Sequence, residues 1–235
     1  MSFLKAEWRK LALINYEVDP KILAPYIPAK TELDLHNGKC YVSLVGFMFV
    51  NTRMLGLKIP FHINFEEVNL RFYVKHKSGH KWKRGVVFIK EIVPRRAISL
   101  VANLIYKEHY ETCSMRHNWE SNKEELTVSY GWKKGKAWHS IQLIAENSQK
   151  PLDLNSSHAF ITEHYWGYTK INDKQSFEYE VTHPVWNIYP VVQYKIDVDF
   201  EVTYGKTFSF LNDLTPSSVM LAEGSEITVE SAKRI

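Results

Sequence analysis

The feature that most constrains the fold is a seven-residue segment in which polar and apolar residues alternate without interruption. It covers residues 67–73, EVNLRFY, and has the period of two that is typical of a β-strand. Because successive side chains of a strand point to opposite faces, Glu67, Asn69, Arg71 and Tyr73 share one face. That polar face either lies in water on a surface strand or lines the interior of a partly closed barrel, where a carboxylate beside an arginine would form a polar site.

The rest of the chain favours further strands joined by tight turns. Asn37-Gly38 accommodates two positive φ angles and predicts a hairpin between strands near residues 33–35 and 41–45. A second hairpin is predicted between strands 65–74 and 86–91, and three antiparallel strands at 110–117, 126–132 and 137–146. One long helix is predicted from Pro94 to about Tyr106, with a few short helices elsewhere. The predicted class is α+β, mostly antiparallel β, with a large sheet or barrel.

Composition bounds the broad class of protein. The 235 residues are 45% hydrophobic and 24% charged, as in globular proteins. No repeat or linker divides them, so a single domain over residues 1–235 is predicted. The formal net charge of +4 is too small to indicate nucleic acid or a membrane surface as a partner. Because no run of about 18 apolar residues occurs, no spanning helix is expected. With only Cys40 and Cys113, neither a disulfide framework nor a cysteine zinc site is expected, which favours the cytoplasm.

Two arginines follow Pro94 at the start of the predicted long helix. Arg95 and Arg96 would lie beside free backbone N–H groups at the positive end of the helix dipole, where like charge is unfavourable. One explanation is a bound anion that meets the N–H donors and the guanidinium groups together. The alternative is neutralisation by an acidic residue such as Glu91.

The remaining motifs do not predict a metal, nucleic-acid or cofactor site. The ten histidines show no metal-ligand spacing on one helix or strand, so no metal is predicted. The basic stretch 75–84 is predicted to be a solvated hairpin tip rather than a nucleic-acid site. No nucleophile elbow, phosphate loop or dinucleotide fingerprint occurs, and no cofactor is predicted.

Four segments together resemble a known family. They are residues 65–71 (FEEVNLR), 85–98 with its EIVPRRA, 160–166 (FITEHYW) and 183–186 (HPVW). These segments are similar to the YqjF-like family of uncharacterised bacterial proteins, which is distantly related to acetoacetate decarboxylase. The resemblance implies a mostly antiparallel, partly closed barrel around an internal cavity. Relatives of the decarboxylase form oligomers, so the resemblance leaves a homo-oligomer open.

The resemblance also implies a site and shows a departure from it. In the decarboxylase an aromatic-x-Glu strand places a glutamate in the cavity, which Glu67 matches. A Pro-Lys-Lys segment supplies the lysine that forms a Schiff base, and here that segment reads Pro94-Arg95-Arg96. A Schiff base needs a neutral amine, which a guanidinium cannot supply. Decarboxylation through an iminium is therefore not expected here.

The sequence leads to one hypothesis and one alternative. The cavity is predicted to bind a small, anionic organic molecule, with Glu67 and Arg95 as catalytic residues. Asn69, Arg71, Tyr73 and Arg96 are predicted to bind the ligand. The alternative is a non-catalytic binding or sensing module that uses the same cavity. A buried, unpaired Glu67 with a raised pKa would favour proton transfer, whereas a Glu67 locked to an arginine would favour a structural role.

Some residues of the family-like segments have no role that the sequence reveals. They are His164, Trp166, His183 and Trp186.

Overall fold

The computed structural model describes residues 2–105 and 107–235, which form fifteen β-strands and four α-helices. The strands are β1 (Leu4–Val18), β2 (Thr31–Leu33), β3 (Cys40–Met54), β4 (Phe65–Ser78), β5 (Lys81–Val93), β6 (Tyr110–Thr112), β7 (Met115–Ser121), β8 (Glu125–Lys134), β9 (Ala137–Glu146), β10 (Trp166–Lys170), β11 (Ser176–Thr182), β12 (Ile188–Tyr189), β13 (Val191–Asp197), β14 (Ser218–Val229) and β15 (Lys233–Arg234). The helices are α1 (Pro20–Leu23), α2 (Arg96–Ile105), α3 (Ser157–Thr162) and α4 (Phe200–Tyr204), and 3₁₀ turns cover Ala24–Tyr26 and Lys206–Asp213. The predicted class, α+β with mostly antiparallel strands, is confirmed.

Seven strands of the larger sheet close into a ring. Their order is β14-β1-β3-β4-β5-β10-β11, and β11 pairs again with β14 through Val181 and Thr182. All neighbours in the ring are antiparallel except β5 and β10. The ring therefore has an inner and an outer face, and the alternation within each strand decides which side chains it encloses.

The outer face of the ring packs on a second, four-stranded sheet of order β13-β9-β8-β7. From β4 the apolar residues Val68, Leu70 and Phe72 belong to this outer core, which includes side chains of β8 and β9. The two sheets approach so closely that a Cβ on Gly46 would lie 2.8 Å from the Tyr130 ring. Because the apolar face of β4 is taken by this contact, its polar face is turned to the inside of the ring.

The predicted hairpin of β4 and β5 positions the inner face. Gly79 takes the positive φ of +62° that the turn requires. The register places Asn69 opposite Glu91, so a second carboxyl group is brought beside the polar residues of β4. A β-bulge between Leu70 and Arg71 bends the pair locally.

One predicted strand pairing is wrong, and one predicted strand is divided into two. Asn37 and Gly38 both have positive φ in a tight turn, as predicted, but β2 before the turn pairs with β4 rather than with β3. The strand predicted over residues 110–117 divides into β6, which pairs with β5, and β7, which pairs with β8 in the other sheet. In both cases the pattern within the segment is correct, and the partner is set by distant residues.

Helix α2 follows β5 and packs against β5 and β6. It is ten residues long, which is ordinary for a globular protein, so the prediction of one long helix is not confirmed. The predicted end at Tyr106 lies outside the described residues. The apolar residues Ala97, Ile98 and Val101 of α2 line the space enclosed by the strands. Among the described residues, no helix is long and apolar enough to cross a membrane.

Candidate functional site

A cavity of about 210 Å³ lies inside the ring of strands. Every strand of the ring contributes to its wall, and α2 contributes one apolar face. Aromatic side chains form much of the wall, namely Phe3, Trp8, Phe47, Phe49, Phe65, Phe88, Tyr110, Trp166, Tyr179 and Trp186. Such a largely apolar enclosure with a few convergent polar groups is typical of a small-molecule site.

Three of the four residues that share the polar face of β4 over residues 67–73 line this cavity. Glu67, Asn69 and Arg71 are 2%, 1% and 7% exposed. The Asn69 amide nitrogen donates a hydrogen bond to Glu67 Oε1 (2.9 Å), and the Tyr110 hydroxyl donates one to Glu67 Oε2 (3.2 Å). The Asn69 amide oxygen and Arg71 Nε have no hydrogen-bond partner within the part of the chain that the structure describes. The structure thus brings a carboxyl group and a guanidinium with an unpaired Nε into one enclosed space.

The environment of Glu67 favours its neutral form. Burial raises the pKa of Glu67 to about 7, against the opposing effects of the Asn69 and Tyr110 hydrogen bonds and of the Arg71 charge. Removing a carboxylate from water penalises its charged form more than these partners stabilise it. At neutral pH Glu67 is therefore present in both protonation states, as a group that gives and takes protons should be.

Two further carboxyl groups lie in the same wall. Glu91 on β5 is buried, and its pKa is raised well above the ordinary value by burial and by repulsion from Glu108 and Glu67. Burial also raises the pKa of Glu108 to about 7, although it accepts hydrogen bonds from the Thr169 hydroxyl (2.6 Å) and the Tyr179 hydroxyl (3.1 Å). Burial and the mutual repulsion of the three carboxyl groups favour their neutral forms, which lowers the negative charge of the cavity at neutral pH.

His164 adds an imidazole to the wall. Its ring packs between the rings of Tyr73, at 4.7 Å between centroids, and Phe160, at 5.1 Å. Nε2 lies 3.1 Å from Asp34 Oδ2, whereas Nδ1 has no hydrogen-bond partner among the described residues. Burial lowers the pKa of His164 to about 4, so the ring is neutral at pH 7.

The segment from Trp166 to Trp186 completes the wall. His183 stacks on Trp186 at 4.1 Å between ring centroids, and its Nδ1 donates to the carbonyl of Pro184 (2.9 Å). Burial lowers the pKa of His183. Trp166, His183 and Trp186, whose roles could not be predicted from the sequence, therefore line the cavity together with His164.

Tyr73, predicted to bind the ligand, lies behind the wall rather than in it. It is buried, and its hydroxyl is bonded to Ser43 Oγ at 2.6 Å. Its ring contacts His164 and Phe160. This position corrects the prediction: Tyr73 supports the His164 ring and does not reach the enclosed space.

The structure also corrects the placement of Arg95 and Arg96. Both are exposed and lie outside the cavity wall. The Arg95 charge acts on Glu66, the neighbour of Glu67 on the opposite face of β4. Although burial alone would raise the pKa of Glu66, the hydrogen bond from His117 (2.7 Å) and the charges of His117 and Arg95 lower it.

The way in which α2 begins explains why Arg95 and Arg96 lie outside the cavity. Arg95 precedes the first helical residue, and its carbonyl accepts the first hydrogen bond, from the N–H of Ile98 (3.1 Å). Arg96 lies two positions before Ile98, which is about 200° around a helix from this inward residue. The alternative was that Glu91 or another acidic residue neutralises the arginines. Glu91 lines the cavity, whereas the Arg95 charge acts on Glu66, which is the other acidic residue that the alternative allows.

Sequence reasoning missed three groups of the site. Glu108 follows α2 in a segment without periodicity, and Glu91 was considered only as a partner of the arginines. Asp34 and His164 are 130 positions apart and meet only through the fold. The sole signal for His164 was its place in a family-like segment.

The wall limits the chemistry that the cavity can perform. No lysine occurs among the lining residues of the described chain, so the described wall offers no lysine amine that could form an iminium. Within the same residues, no group of three or more His, Cys, Asp or Glu side chains could hold a metal ion. The groups that remain include one guanidinium, carboxyl groups with raised pKa values and imidazoles, which are suited to anion binding and proton transfer.

Comparison with known sequences identifies similar proteins. The model of the family DUF2071, described as an uncharacterized conserved protein, matches residues 5–226. The uncharacterized protein YqjF of Bacillus subtilis (strain 168) is 28% identical over 188 residues, which are 78% of this chain and 74% of that protein. The resemblance to YqjF-like proteins is confirmed.

Comparison with solved structures identifies the fold. Acetoacetate decarboxylase from Legionella pneumophila is 13% identical with a TM-score of 0.66, over 99% of this chain and 86% of that chain. The enduracididine biosynthesis enzyme MppR, complexed with pyruvate, is 9% identical with a TM-score of 0.66, over 100% of this chain and 91% of that chain. At such low identities the likeness shows an acetoacetate-decarboxylase-like fold and no more.

Proposed function

Because this chain belongs to DUF2071, a family of uncharacterized conserved proteins, we propose a function from the cavity itself: it binds a small organic anion through Arg71, and Glu67 exchanges a proton with that ligand. The observation that carries the proposal is the state of Arg71. Its guanidinium is 7% exposed in a wall that is mostly apolar, and its Nε has no partner among the described residues. A buried polar group without a hydrogen-bond partner destabilises a protein, and a bound carboxylate would supply the missing partner of the Arg71 guanidinium.

A second unpartnered donor supports an anion rather than a cation. Trp8 lines the cavity, and its indole N–H also has no hydrogen-bond partner in the described part of the chain. The nearby carboxyl groups would repel an anion if they were ionised. Their raised pKa values weaken that repulsion, because burial favours the protonated form of Glu91, Glu67 and Glu108.

The size of the cavity restricts the ligand. At about 210 Å³ it is smaller than the roughly 300–1,000 Å³ of sites for drug-sized molecules. A short carboxylic acid fits this space, and the pyruvate complex of MppR supports that class of ligand for the fold. Proton transfer without a covalent intermediate follows from the lack of a lysine in the described wall.

The test is ligand binding by variants of two arginines. Pyruvate and a panel of short carboxylic acids are titrated into the protein by calorimetry and by ligand-observed NMR. Losing one partner of a buried charge pair costs about 2–5 kcal/mol, so Arg71→Met should weaken binding by about 30-fold or more. Arg95→Gln, which removes an exposed guanidinium outside the wall, should leave binding unchanged.

Three results have distinct meanings. Equal binding by the wild type and Arg71→Met contradicts the proposed role of Arg71. Loss of binding in Arg95→Gln would instead indicate that the ligand binds at the start of α2. Binding without any proton exchange in the ligand identifies a binding or sensing module instead of an enzyme. A single domain over residues 1–235, a cytoplasmic location and a homo-oligomer stay predictions.

A further inference from the structure

Asp34 and His164 form a pair that the proposed function does not use. Asp34 Oδ2 lies 3.1 Å from His164 Nε2 and 2.6 Å from Arg84 Nε. Although burial raises the pKa of Asp34, the hydrogen bonds from His164 and Arg84 hold it below the ordinary value. Asp34 is therefore an ionised carboxylate at neutral pH, and it can only accept hydrogen bonds.

The ionised carboxylate fixes the tautomer of the imidazole. A neutral histidine carries one N–H, and a nitrogen 3.1 Å from a carboxylate oxygen must be the one that donates. Arg84 Nη2 is 3.4 Å from the same nitrogen, but its N–H groups do not change this choice, because Asp34 is closer and has no proton to give. The lone pair is consequently on Nδ1.

That lone pair belongs to the cavity wall. His164 is 7% exposed and lines the cavity, and Nδ1 has no hydrogen-bond partner in the described chain. Tyr73 and Phe160 hold the ring on both sides. The charged groups that act on the ring are Asp34, Arg84 and Arg71, and the two guanidinium groups disfavour its protonated form. A buried acceptor without a partner is costly unless a ligand supplies the donor.

We propose that His164 is the general base of this cavity, that Asp34 is its positioning residue, and that the two act on a carbon acid next to a carbonyl group. The inference rests on the proposed binding of a small organic anion, here one with a 2-oxo group. Nδ1 takes a proton from the carbon beside the carbonyl, and the electron pair of that C–H bond forms the carbon–carbon double bond of the enol. The carbonyl oxygen takes the proton of neutral Glu67. Reversal of the steps restores both groups, so no oxidant or further reactant is needed.

The first experiment measures the tautomer in the full-length protein. Histidine labelled with ¹⁵N is incorporated, and the signals of His164 are assigned by their loss in His164→Gln. At pH 7 we expect a protonated Nε2 and a bare Nδ1, and in Asp34→Asn we expect the preference for this tautomer to be lost. A protonated Nδ1, or an imidazolium at pH 7, overturns the proposal whatever the ligand is.

The second experiment measures proton exchange with pyruvate as the probe. The loss of the pyruvate methyl proton signal in D₂O is followed by NMR, and binding is titrated separately. The wild type should accelerate the exchange over buffer, and His164→Gln should slow it by about 100-fold or more. Asp34→Asn should slow exchange and shift its pH profile, which a merely structural aspartate would not do. The control His158→Gln removes a half-buried imidazole of α3 outside the cavity wall and should keep the wild-type rate.

The outcomes separate this proposal from the proposed function. Bound pyruvate that exchanges no faster than in buffer, or at the same rate in His164→Gln, overturns the role of His164. Failure of pyruvate and the other acids to bind contradicts the proposed function instead, and the tautomer spectra then decide for or against the bare Nδ1 on which the base depends.

Discussion

Replacing Glu67 by glutamine tests the central electrostatic statement about the cavity. The pKa of Glu67 is about 7 in the folded chain against an ordinary value of 4.5. Each pH unit of difference corresponds to about 1.4 kcal/mol, so an ionised Glu67 destabilises the fold by about 3 kcal/mol. Because the pKa is raised on folding, the folded state holds the proton more tightly. No destabilisation is present below pH 4.5, and it grows as the pH rises through 7.

Glu67→Gln should therefore have a pH-dependent effect on stability. Glutamine resembles the protonated acid, so the variant and the wild type should differ by a constant amount near pH 4.5. At pH 8 the free energy of unfolding of the variant should be higher by about 3 kcal/mol relative to that constant. Urea unfolding at pH 4.5, 6, 7 and 8 measures the difference. A difference that is flat with pH, or that grows towards acid, would refute the conclusion that burial controls Glu67.

Glu66 provides a matched control with the opposite sign. It precedes Glu67 on β4, but its pKa is lowered in the folded state by the His117 hydrogen bond and the charges of His117 and Arg95, which outweigh burial. Its carboxylate stabilises the fold above pH 4.5, and the stabilisation is lost as the pH falls through the folded pKa. Glu66→Gln should consequently destabilise the protein at pH 7 and have a smaller effect in acid. The two neighbouring substitutions should thus produce stability profiles of opposite slope.

Two further variants test the wall of the cavity. Arg71→Met should raise the melting temperature of the ligand-free protein by a few degrees in differential scanning calorimetry, because a buried guanidinium with an unpaired Nε is replaced by an apolar side chain. A lower melting temperature would indicate that contacts within the chain compensate the charge of Arg71. Gly167→Ala should destabilise the protein by about 1–3 kcal/mol or more in urea unfolding, since the new Cβ would lie 2.1 Å from the Tyr179 ring. Gly131→Ala, whose Cβ would meet the flexible Arg116 side chain at 3.3 Å, should be nearly neutral, and equal effects of the two would contradict the packing.

The sequence predicts those parts of the fold that depend on neighbours along the chain. Strict alternation over residues 67–73 assigns Glu67, Asn69 and Arg71 to one face without knowledge of any partner. The turn at Ser78 and Gly79 likewise sets the β4–β5 register, because a hairpin is specified by its own residues. Both features position side chains of the cavity wall.

Other parts of the site depend on distant packing and escape a single sequence. Whether the polar face of β4 meets water or a cavity is decided by the second sheet, which covers the apolar face. The contact of Asp34 with His164 joins segments with no common pattern. Arg95 was assigned from its position in a motif, yet it precedes the first helical residue, where helical periodicity does not fix the direction of a side chain.

The sequence motif assigns Arg95 to the ligand site, whereas the structure places Arg71 in the cavity wall. Lysine substitutions can decide between these two assignments. If the structure is right, Arg71→Lys brings an amine into the cavity wall, where burial lowers the pKa of a lysine and frees the neutral amine that forms an iminium. Arg95→Lys places an amine in solvent, where at an ordinary pKa only about one molecule in a thousand is neutral at pH 7.4. Reduction with borohydride in the presence of pyruvate should therefore give a covalent adduct with Arg71→Lys, detected by intact mass and mapped to residue 71, and far less with Arg95→Lys or the wild type. An adduct at residue 95 instead would show that the start of α2 faces the ligand, and the site would then follow the decarboxylase motif rather than the polar face of β4.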